Sequence, residues 1–175
     1  MGETIATDAA FDDFYRREYR LVVGLGYALC GDRGSAEDLA QDAFLAARRE
    51  WERIATYERP DAWVRRVVAN RAVSLRRHRS AEQRALARWV TTRSRRDAPV
   101  SDPGGAVLSE ESERFWAAVR ALPTRQAQVV ALHYIEDRPV AEIASILDVA
   151  VGTVKTHLHA ARAALARALD CEDPS

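Results

Sequence analysis

The amino-acid sequence of 175 residues predicts an all-α protein in which two small helical domains are joined by a flexible linker. Apolar residues recur at intervals of three and four along most of the chain, which is typical of amphipathic helices, and no segment alternates apolar and polar residues convincingly as a half-buried strand does. Residues 97–105, DAPVSDPGG, interrupt this periodicity with two prolines and two glycines, which indicates a linker. A chain of this length suffices for two small domains.

The composition and the N-terminal sequence exclude several classes of protein. Apolar residues make up 47% of the chain and charged residues 30%, proportions that are ordinary for a folded globular protein. No apolar run approaches the roughly 20 residues that span a bilayer, and residues 1–10 lack the segments of a signal peptide. The two cysteines, Cys30 and Cys171, cannot form a disulfide framework. We therefore expect a cytoplasmic protein that does not insert into a membrane.

Positive charge is concentrated in one segment, although the formal net charge of the chain is zero. Residues 59–97 contain 12 arginines against three acidic residues, whereas residues 1–58 contain 12 acidic and seven basic residues. A basic segment within a neutral chain predicts a localised binding site for a polyanion.

The N-terminal domain is predicted over residues 11–96, after a flexible N-terminus of residues 1–10. A first helix over 11–29 ends at the glycine-containing segment that follows Cys30. A second helix over 36–54 begins after Ser35, which together with Asp38 resembles a capping box. One apolar stripe of this second helix is predicted to be core and consists of Ala40, Phe44, Ala47 and Trp51.

The third predicted helix begins at Pro60 within the arginine-rich segment and continues at least to Arg79. Its predicted core stripe consists of Val64, Val68, Ala72 and Leu75. A second stripe, predicted to be accessible, consists of Trp63, Arg66, Asn70, Ser74 and Arg77. The linker is placed at residues 97–110.

The C-terminal domain is predicted over residues 111–170, before a tail of residues 171–175, with four helices at about 109–121, 124–136, 139–147 and 152–169. In residues 139–158, PVAEIASILDVAVGTVKTHL, a short helix, a tight turn and a longer helix follow one another. This pattern is typical of a helix-turn-helix, whose second helix lies in the DNA major groove. Asp148 tolerates a left-handed turn conformation, whereas Ala150 offers the second helix no side-chain cap. The alternative is an ordinary helical hairpin within a bundle.

Two sets of motifs, in the correct order, resemble one family. ALPTRQ at 121–126, YIED at 134–137, AEIA at 141–144 and VGTVKTHLHAARAAL at 151–165 are similar to the fourth conserved region of extracytoplasmic-function (ECF) sigma factors, the promoter-recognition subunits of bacterial RNA polymerase. SAEDLAQDAF at 35–44 resembles the helix of the second conserved region, and DAWVRRVVANRAVSLRR at 61–77 resembles its promoter-reading helix. The resemblance covers about 11–80 and 111–169, and it implies sigma domains 2 and 4.

The resemblance implies three binding surfaces. The outward face of the second helix would bind the clamp helices of the largest polymerase subunit through Asp38, Gln41, Asp42 and Leu45. The third helix and the loop before it would contact the −10 element and the separated strand through Tyr57, Trp63, Arg66, Asn70, Ser74, Arg76 and Arg77. The helix-turn-helix would read the −35 element through Thr153, Lys155, Thr156, His157, His159 and Arg162.

The residue types suit these roles. An asparagine amide can form two hydrogen bonds to a base, arginines neutralise phosphates, and aromatic rings stack on unpaired bases. The resemblance further implies that core RNA polymerase, promoter DNA and an anti-sigma factor are the partners, and that the free protein is a monomer. Packing of its two domains, or the anti-sigma factor, would keep it inactive. No catalytic residue, metal or cofactor is expected.

Three alternatives compete with this interpretation. A stand-alone helix-turn-helix repressor or activator would explain residues 124–169 only, and would normally be a dimer that reads two half-sites. An enzyme is disfavoured because Gly24-Leu-Gly26 lacks the third glycine of a dinucleotide loop, and because no P-loop, nucleophile elbow or paired-cysteine metal motif occurs. A sigma-type interaction module that has lost its DNA contacts is the third.

Overall fold

The computed structural model of the chain describes residues 2–89 and 109–170. The predicted linker up to residue 108 and the tail at 171–175 therefore lie outside the described residues. Helices α1 (Gly2–Cys30), α2 (Arg33–Arg49), α3 (Trp51–Ile54) and α4 (Pro60–Trp89) form what we call the N-terminal unit. Helices α5 (Glu110–Ala121), α6 (Thr124–Tyr134), α7 (Val140–Leu147) and α8 (Val151–Asp170) form the C-terminal unit. The predicted all-α class is confirmed, and the two described ranges contain no strand.

The start of α2 differs from the predicted one. The Asp32 carboxylate accepts a hydrogen bond from the backbone N–H of Ser35 at 2.9 Å, so that Asp32 is the N-cap and the helix begins at Arg33. The predicted cap at Ser35 is wrong because aspartate caps a helix as well as serine does, and it stands close enough to start the helix three residues earlier. The prediction of one helix over 36–54 is also wrong, because α2 ends at Arg49 and α3 is a separate short helix.

An aromatic cluster holds the N-terminal unit together. Phe14 and Trp51 have ring centroids 4.9 Å apart, and the edge of Phe11 meets Trp51 at 5.2 Å. Phe44 of α2 joins the same cluster, together with Val64 and Val68 of α4. The predicted core role of Trp51 is confirmed, since its side chain is buried at the centre of this cluster. The first helix begins at Gly2, nine residues before the predicted start.

A second apolar cluster is shared between the two units. Packing of the two domains was one of two expected ways of keeping the free protein inactive, but the residues that form the contact were not predicted. From the N-terminal unit the cluster includes Leu25 and Leu29 of α1 and Ala69 and Ala72 of α4. From the C-terminal unit it includes buried residues of all four helices: Trp116, Val119, Leu132, Ile143, Leu147, Val154, Leu158 and Leu165. The two units therefore pack against each other through a common core. Leu75, which was predicted to be core, is only half-buried.

One glycine lets α1 approach both neighbouring helices closely. A Cβ atom at Gly26 would lie 3.3 Å from the Cβ of Ala36 and 3.4 Å from a methyl group of Val68. A larger residue would push α2 or α4 outward, because interiors are packed to crystal-like density. Gly26 therefore fixes α2 and α4 relative to each other.

The helix-turn-helix prediction agrees with the observed geometry of the C-terminal unit. Helix α7 ends at Leu147 and is capped by Asp148, which adopts the predicted left-handed conformation with φ of 57°, and α8 begins at Val151. Ile143, Val154 and Leu158 are buried between the two helices. Asp137 also adopts a left-handed conformation, with φ of 49°, between α6 and α7, and this turn was not predicted.

Candidate functional surfaces

The outward face of α2 is open to solvent, as predicted. Asp38, Gln41 and Asp42 are exposed, and Leu45 leaves 54% of its surface accessible. One carboxylate oxygen of Asp42 lies 3.5 Å from a guanidinium nitrogen of Arg71 on α4, a pair that is solvent-exposed and therefore contributes little to stability. An exposed leucine between acidic and amide side chains forms a surface that suits a basic partner with an apolar contact residue. A shallow groove beside this face is lined by Phe11, Asp12, Tyr15, Gln41, Phe44, Leu45 and Arg48.

The N-terminal half of α8 presents a polar and cationic face. Val154, Leu158 and Ala161 are buried, and this inward stripe turns Thr153, Lys155, Thr156 and His159 outward, where all four are exposed. His157 is half-buried. Arg162 is exposed and its Nε donates a hydrogen bond to the hydroxyl of Tyr134 at 3.3 Å. The structure thus places the six residues predicted for the −35 element along one helix, with five of them exposed.

His133 of α6 joins this face, although the sequence did not single it out. It lines one groove together with Lys155, His159 and Arg162, and its Nδ1 lies 3.2 Å from the carbonyl oxygen of Arg138. The sequence pattern predicts only a helix at this position, so it gives no signal that His133 has a functional role. A groove lined by two histidines, a lysine and an arginine suits an anionic ligand.

The start of α8 lacks a side-chain cap, as predicted. The carbonyl oxygen of Ala150 accepts from the N–H groups of Thr153 and Val154 at 2.9 and 3.2 Å, but its methyl group can accept no hydrogen bond. The hydroxyl of Thr156 donates to the carbonyl oxygen of Gly152 at 3.0 Å. The first turn of α8 is thus held by backbone hydrogen bonds and one hydrogen bond from a hydroxyl within the helix.

Two residues of the predicted accessible stripe of α4, Arg66 and Asn70, contact the C-terminal unit. Arg66 donates from Nε to the carbonyl oxygen of Ile146 at 2.7 Å and from Nη2 to that of Ser145 at 2.8 Å. Gln128 donates from Nε2 to the Asn70 side-chain oxygen at 3.1 Å. The exposed residues Ser74 and Arg77 complete the stripe. The stripe is exposed at Asn70, Ser74 and Arg77 and half-buried at Trp63 and Arg66. Arg66 keeps 40% of its side chain accessible, but its guanidinium already has hydrogen-bond partners in the C-terminal unit.

Arg76 is engaged in a similar way. Its guanidinium donates to the carbonyl oxygen of Arg120 in the last turn of α5. Burial, together with the nearby positive charge of Arg120, lowers the pKa of Arg76. Three of the residues assigned to the −10 element thus contact the C-terminal unit.

The two aromatic residues assigned to the separated strand differ in exposure. Tyr57, in the loop before α4, is 38% exposed, and the Arg53 guanidinium lies 5.8 Å from its ring centroid. Trp63 is half-buried and packs against the aromatic cluster. Tyr57 is therefore available to stack on a base, whereas much of the Trp63 ring already contacts protein.

A buried arginine, which sequence analysis missed, lies between the two units. Arg65 is fully buried and donates from Nη2 to Glu18 at 2.8 Å and from Nη1 to the carbonyl oxygen of Asp61 at 3.2 Å. Its Nε donates to Glu136 of the C-terminal unit, whose side chain is 1% exposed. Arg65 lies next to Val64 and Arg66 in the sequence, and the helical period placed it on neither predicted stripe.

Neighbouring ion pairs extend this cluster. Arg59 donates to Glu142 at 2.8 Å, and hydrogen bonds from Arg59 and Arg138 lower the pKa of the Glu142 carboxyl. Burial by itself raises the pKa of Asp61, but the hydrogen bond from Arg59 and the charges of Arg65, Arg59 and Arg138 outweigh it, so that the pKa lies below its ordinary value. Both carboxylates therefore stay ionised at neutral pH.

The described residues give little support for a metal site, a reactive cysteine or a membrane-spanning helix. In residues 2–89 and 109–170, no group of three or more His, Cys, Asp or Glu side chains could hold a metal ion. The Cys30 thiol donates to the carbonyl oxygen of Asp32 at 3.2 Å, and burial raises its pKa, which disfavours a reactive thiolate. None of the described helices combines the length and apolar character that crossing a bilayer requires.

Family models match both units. Residues 14–82 match the model described as Sigma-70 region 2, and residues 112–165 match the model described as Sigma-70, region 4. The first match contains α2 and most of α4, and the second contains α6, α7 and most of α8. The gap between the two matches contains the predicted linker.

Several curated relatives match along most of the chain. The ECF RNA polymerase sigma factor SigW of Bacillus subtilis is 30% identical over 151 residues, which cover 83% of this chain and 81% of the relative. The RNA polymerase sigma-E factor of Streptomyces antibioticus is 30% identical over 165 residues, covering 93% and 86%. The ECF RNA polymerase sigma factor SigM of Mycobacterium tuberculosis is 31% identical over 160 residues, covering 91% and 77%.

Solved structures share the fold. The sigma factor RpoE in complex with the anti-sigma factor NepR from Bartonella quintana matches with a TM-score of 0.67 at 22% identity, over 94% of this chain and 99% of that one. CnrH in complex with the cytosolic domain of CnrY matches with a TM-score of 0.66 at 22% identity, over 95% and 91%. At these identities the likeness concerns the fold alone.

Proposed function

We infer that this chain, which belongs to the ECF family of RNA polymerase sigma factors, directs promoter-specific initiation through one DNA-reading helix in each of its two units. This inference rests on one observation: α8 follows a left-handed turn and exposes four polar side chains on its N-terminal half, Thr153, Lys155, Thr156 and His159. This is the part of a helix-turn-helix that reaches base edges and phosphates.

We assign the −35 element to α8 and the −10 element to α4. Lys155 and Arg162 carry the positive charge that phosphates require, and the Thr156 hydroxyl can still accept a hydrogen bond from a base. On α4, the Asn70 amide can form two hydrogen bonds to a base, while Arg66, Arg76 and Arg77 supply positive charge. Tyr57 stacks on a base of the separated strand.

The exposed face of α2 is assigned to core polymerase. Asp38 and Asp42 supply negative charge, which steers association with a basic surface, and Leu45 supplies an apolar contact that is otherwise left in water. The partner surface is the pair of clamp helices in the largest polymerase subunit. Gly26 lets α1 pack closely against both α2 and α4, so polymerase bound at α2 holds a unit that also contains α4.

The remaining partners and the cellular location follow from the family. The chain is a transcription initiation factor, and RNA synthesis itself belongs to the polymerase. It acts in the cytoplasm as a monomer until it joins polymerase, and an anti-sigma factor holds it inactive. One solved structure with the same fold, from Bartonella quintana, is of a sigma factor bound to the anti-sigma factor NepR.

Reconstitution with purified core RNA polymerase tests the proposal. Transcription from a library of genomic fragments should depend on added protein, and the start sites should share two spaced upstream motifs. Binding to a palindromic site without polymerase, and no transcription with it, would instead support a stand-alone repressor or activator.

The α2 assignment has its own test in Asp42→Arg. This change reverses the charge of an exposed residue whose contact with Arg71 contributes little, so the fold should persist while binding to core polymerase is lost. The control is Glu111→Arg, an equal charge reversal at an exposed position of α5. Circular dichroism reports the fold, and co-elution with polymerase in size-exclusion chromatography reports binding. Co-elution of the Asp42 variant would contradict the assignment.

A further inference from the structure

We propose that the groove between α6 and α8 binds a backbone phosphate of DNA in a proton-dependent way, through His133 and His159. We call it the α6–α8 groove, and its lining residues are His133, Val140, Lys155, Leu158, His159 and Arg162. The inference rests on the proposed −35 role of α8 and deepens it in two respects. It adds a DNA-contacting residue from α6, and it makes the binding of duplex DNA consume protons.

One side of the α6–α8 groove is a row of basic side chains on α8. Lys155, His159 and Arg162 are spaced by four and three residues, so they lie on the same helix face, and all three are exposed. The hydrogen bond described for this row joins the Arg162 Nε to the hydroxyl of Tyr134 at 3.3 Å, and this partner is neutral. The two fixed positive charges of the row therefore remain available to a phosphate.

His133 lies across the groove from this row, on α6, and its hydrogen bond decides which ring nitrogen serves a ligand. Its Nδ1 lies 3.2 Å from the carbonyl oxygen of Arg138. A carbonyl oxygen can only accept a hydrogen bond, so Nδ1 carries the hydrogen. In the neutral ring Nε2 then has only a lone pair, whereas in the imidazolium Nε2 donates as well. His133 can therefore donate to a phosphate oxygen in the groove only after it binds a proton.

His159 is the second group of the groove whose charge changes near neutral pH. It stands between Lys155 and Arg162 in the row on α8. When its ring is protonated, a phosphate beside the row meets three positive charges in place of two. Both histidines thus strengthen the same anion site, one from each wall of the groove.

Carboxylates do not take the place of the phosphate in this groove. None of the six lining residues found within the described chain is acidic. The segment between α6 and α8 contains Glu136 and Glu142, and Arg138 donates to both, at 3.3 and 3.0 Å, while Asp137 is exposed to solvent. Helices α1 and α5 also pack against α6, but no described residue of either helix lines the groove. A bound phosphate is therefore the anion with which the protonated histidines pair.

Proton uptake and phosphate binding should strengthen each other. An opposite charge favours the charged form of a titratable group, so a bound phosphate favours protonation of both histidines. Coupling between two ligands is reciprocal, so bound protons favour phosphate by the same factor. Because histidine changes its charge between about pH 5 and pH 8, the affinity for duplex DNA should rise as the pH falls through this range.

The test measures binding of the full chain to a duplex of mixed sequence, because backbone contacts do not depend on sequence. The duplex carries a rhodamine label, and anisotropy is recorded from about pH 8 to about pH 6 at constant low ionic strength. His133→Gln and His159→Gln each remove one titrating ring and leave a polar side chain. The control is His78→Gln, the same change at an exposed position of α4. Circular dichroism reports the fold of each variant.

We expect the affinity of the native chain to rise about tenfold over this range, and each groove variant to lose about threefold of that gain. His78→Gln should keep the whole gain. The dependence on salt gives a second readout, because loss of one phosphate contact lowers the slope of log affinity against log salt concentration by about one. His133→Gln should therefore have a shallower slope than the native chain at the acidic end of the range and the same slope at the basic end.

His133→Arg separates the charge of this residue from a structural role of its ring. The guanidinium is positive at every pH of the experiment, so this variant should bind the duplex about threefold more tightly than the native chain at about pH 8. It should also have a weaker pH dependence. Failure of His133→Arg to tighten binding would overturn the contact from α6.

An unchanged pH dependence in both groove variants would overturn the proposal. An equal loss in His78→Gln would do so too, since any histidine would then explain the effect. The −35 role itself is tested separately by Lys155→Glu. If that variant loses DNA binding while the two groove variants keep the native pH dependence, the proton-dependent site is refuted and the −35 assignment stands.

Discussion

The two faces that we propose read DNA differ in how much of each is covered in the same structure. On α8, Lys155, His159 and Arg162 are exposed, and the one hydrogen bond described for these three side chains joins Arg162 to Tyr134 within the same unit. On α4, Arg66, Asn70 and Arg76 contact the C-terminal unit. The face proposed for the −35 element is therefore presented to solvent, whereas three of the residues proposed for the −10 element have partners in the C-terminal unit.

Because of this difference, we expect the two faces to respond to different events. Binding at α8 requires no change in the protein, so it depends on the charge and hydrogen-bonding groups of that helix. On α4, Arg66, Asn70 and Arg76 already have hydrogen-bond partners in the C-terminal unit, so a DNA contact made by these side chains would replace a hydrogen bond within the protein. Joining the two DNA contacts through polymerase then raises their effective concentration.

The largest expected effect is a loss of DNA binding at the α8 face of the free chain. Lys155→Glu replaces an exposed positive charge of α8 with a negative one, and should weaken binding of duplex promoter DNA to the chain alone by at least about tenfold. The control is Arg167→Glu, the same charge reversal near the other end of α8. Fluorescence anisotropy with labelled duplex at several salt concentrations checks the prediction. Equal losses from both variants would mean that net charge, and not the α8 face, decides binding.

The second prediction concerns the engaged face. In the holoenzyme, Asn70→Ala should cost about 1–3 kcal/mol at a cognate promoter because it removes a base contact. In the free chain the same change should hardly alter duplex binding, since Gln128 already holds the Asn70 oxygen. Transcription from promoters substituted at single positions measures the effect in the holoenzyme, and fluorescence anisotropy with labelled duplex measures binding by the free chain. The variant should lose sensitivity to substitutions in the −10 element while it keeps sensitivity in the −35 element, and loss of both sensitivities would contradict separate faces.

The smallest expected effect concerns the stability of α8, which carries the exposed face. Ala150→Ser supplies the side-chain acceptor that the start of α8 lacks, and should raise the free energy of unfolding by about 1 kcal/mol. Thermal and urea unfolding followed by circular dichroism measure the change. Ala150→Val offers no acceptor and should give no such gain. If the serine and valine variants have the same free energy of unfolding, the missing cap does not limit the stability of the first turn of α8.

Local sequence patterns predicted much of the fold. The 3-and-4 spacing of Ala40, Phe44, Ala47 and Trp51 located a real core stripe, because a helical surface repeats at that interval. The left-handed turn at Asp148 followed from the tolerance of aspartate for that conformation. The cap of α2 was misplaced because Asp32 and Ser35 are both good caps, and only the backbone path decides between them.

The contacts between the units could not be predicted in the same way. Periodicity distinguishes polar from apolar faces of a helix, but it cannot say whether a polar face meets water or another folded unit. The engagement of Arg66 and Asn70 by α6 and α7 therefore left no trace in the pattern around α4. Arg65 was missed for a related reason, since its burial depends on Glu18 and Glu136, which are 47 and 71 residues away in sequence.

The short side chains of α4 that meet the shared cluster have a consequence for solubility. Ala62, Ala69 and Ala72 are buried there, and each adds only a methyl group to the apolar surface that water reaches once the units separate. The free energy of exposing apolar surface to water scales with its area, at about 25 cal/mol per Å². Small residues therefore limit the apolar area that separation of the units exposes on this helix. We expect the opened chain to resist self-association better than one with leucines at these positions, and so to remain available for capture by polymerase.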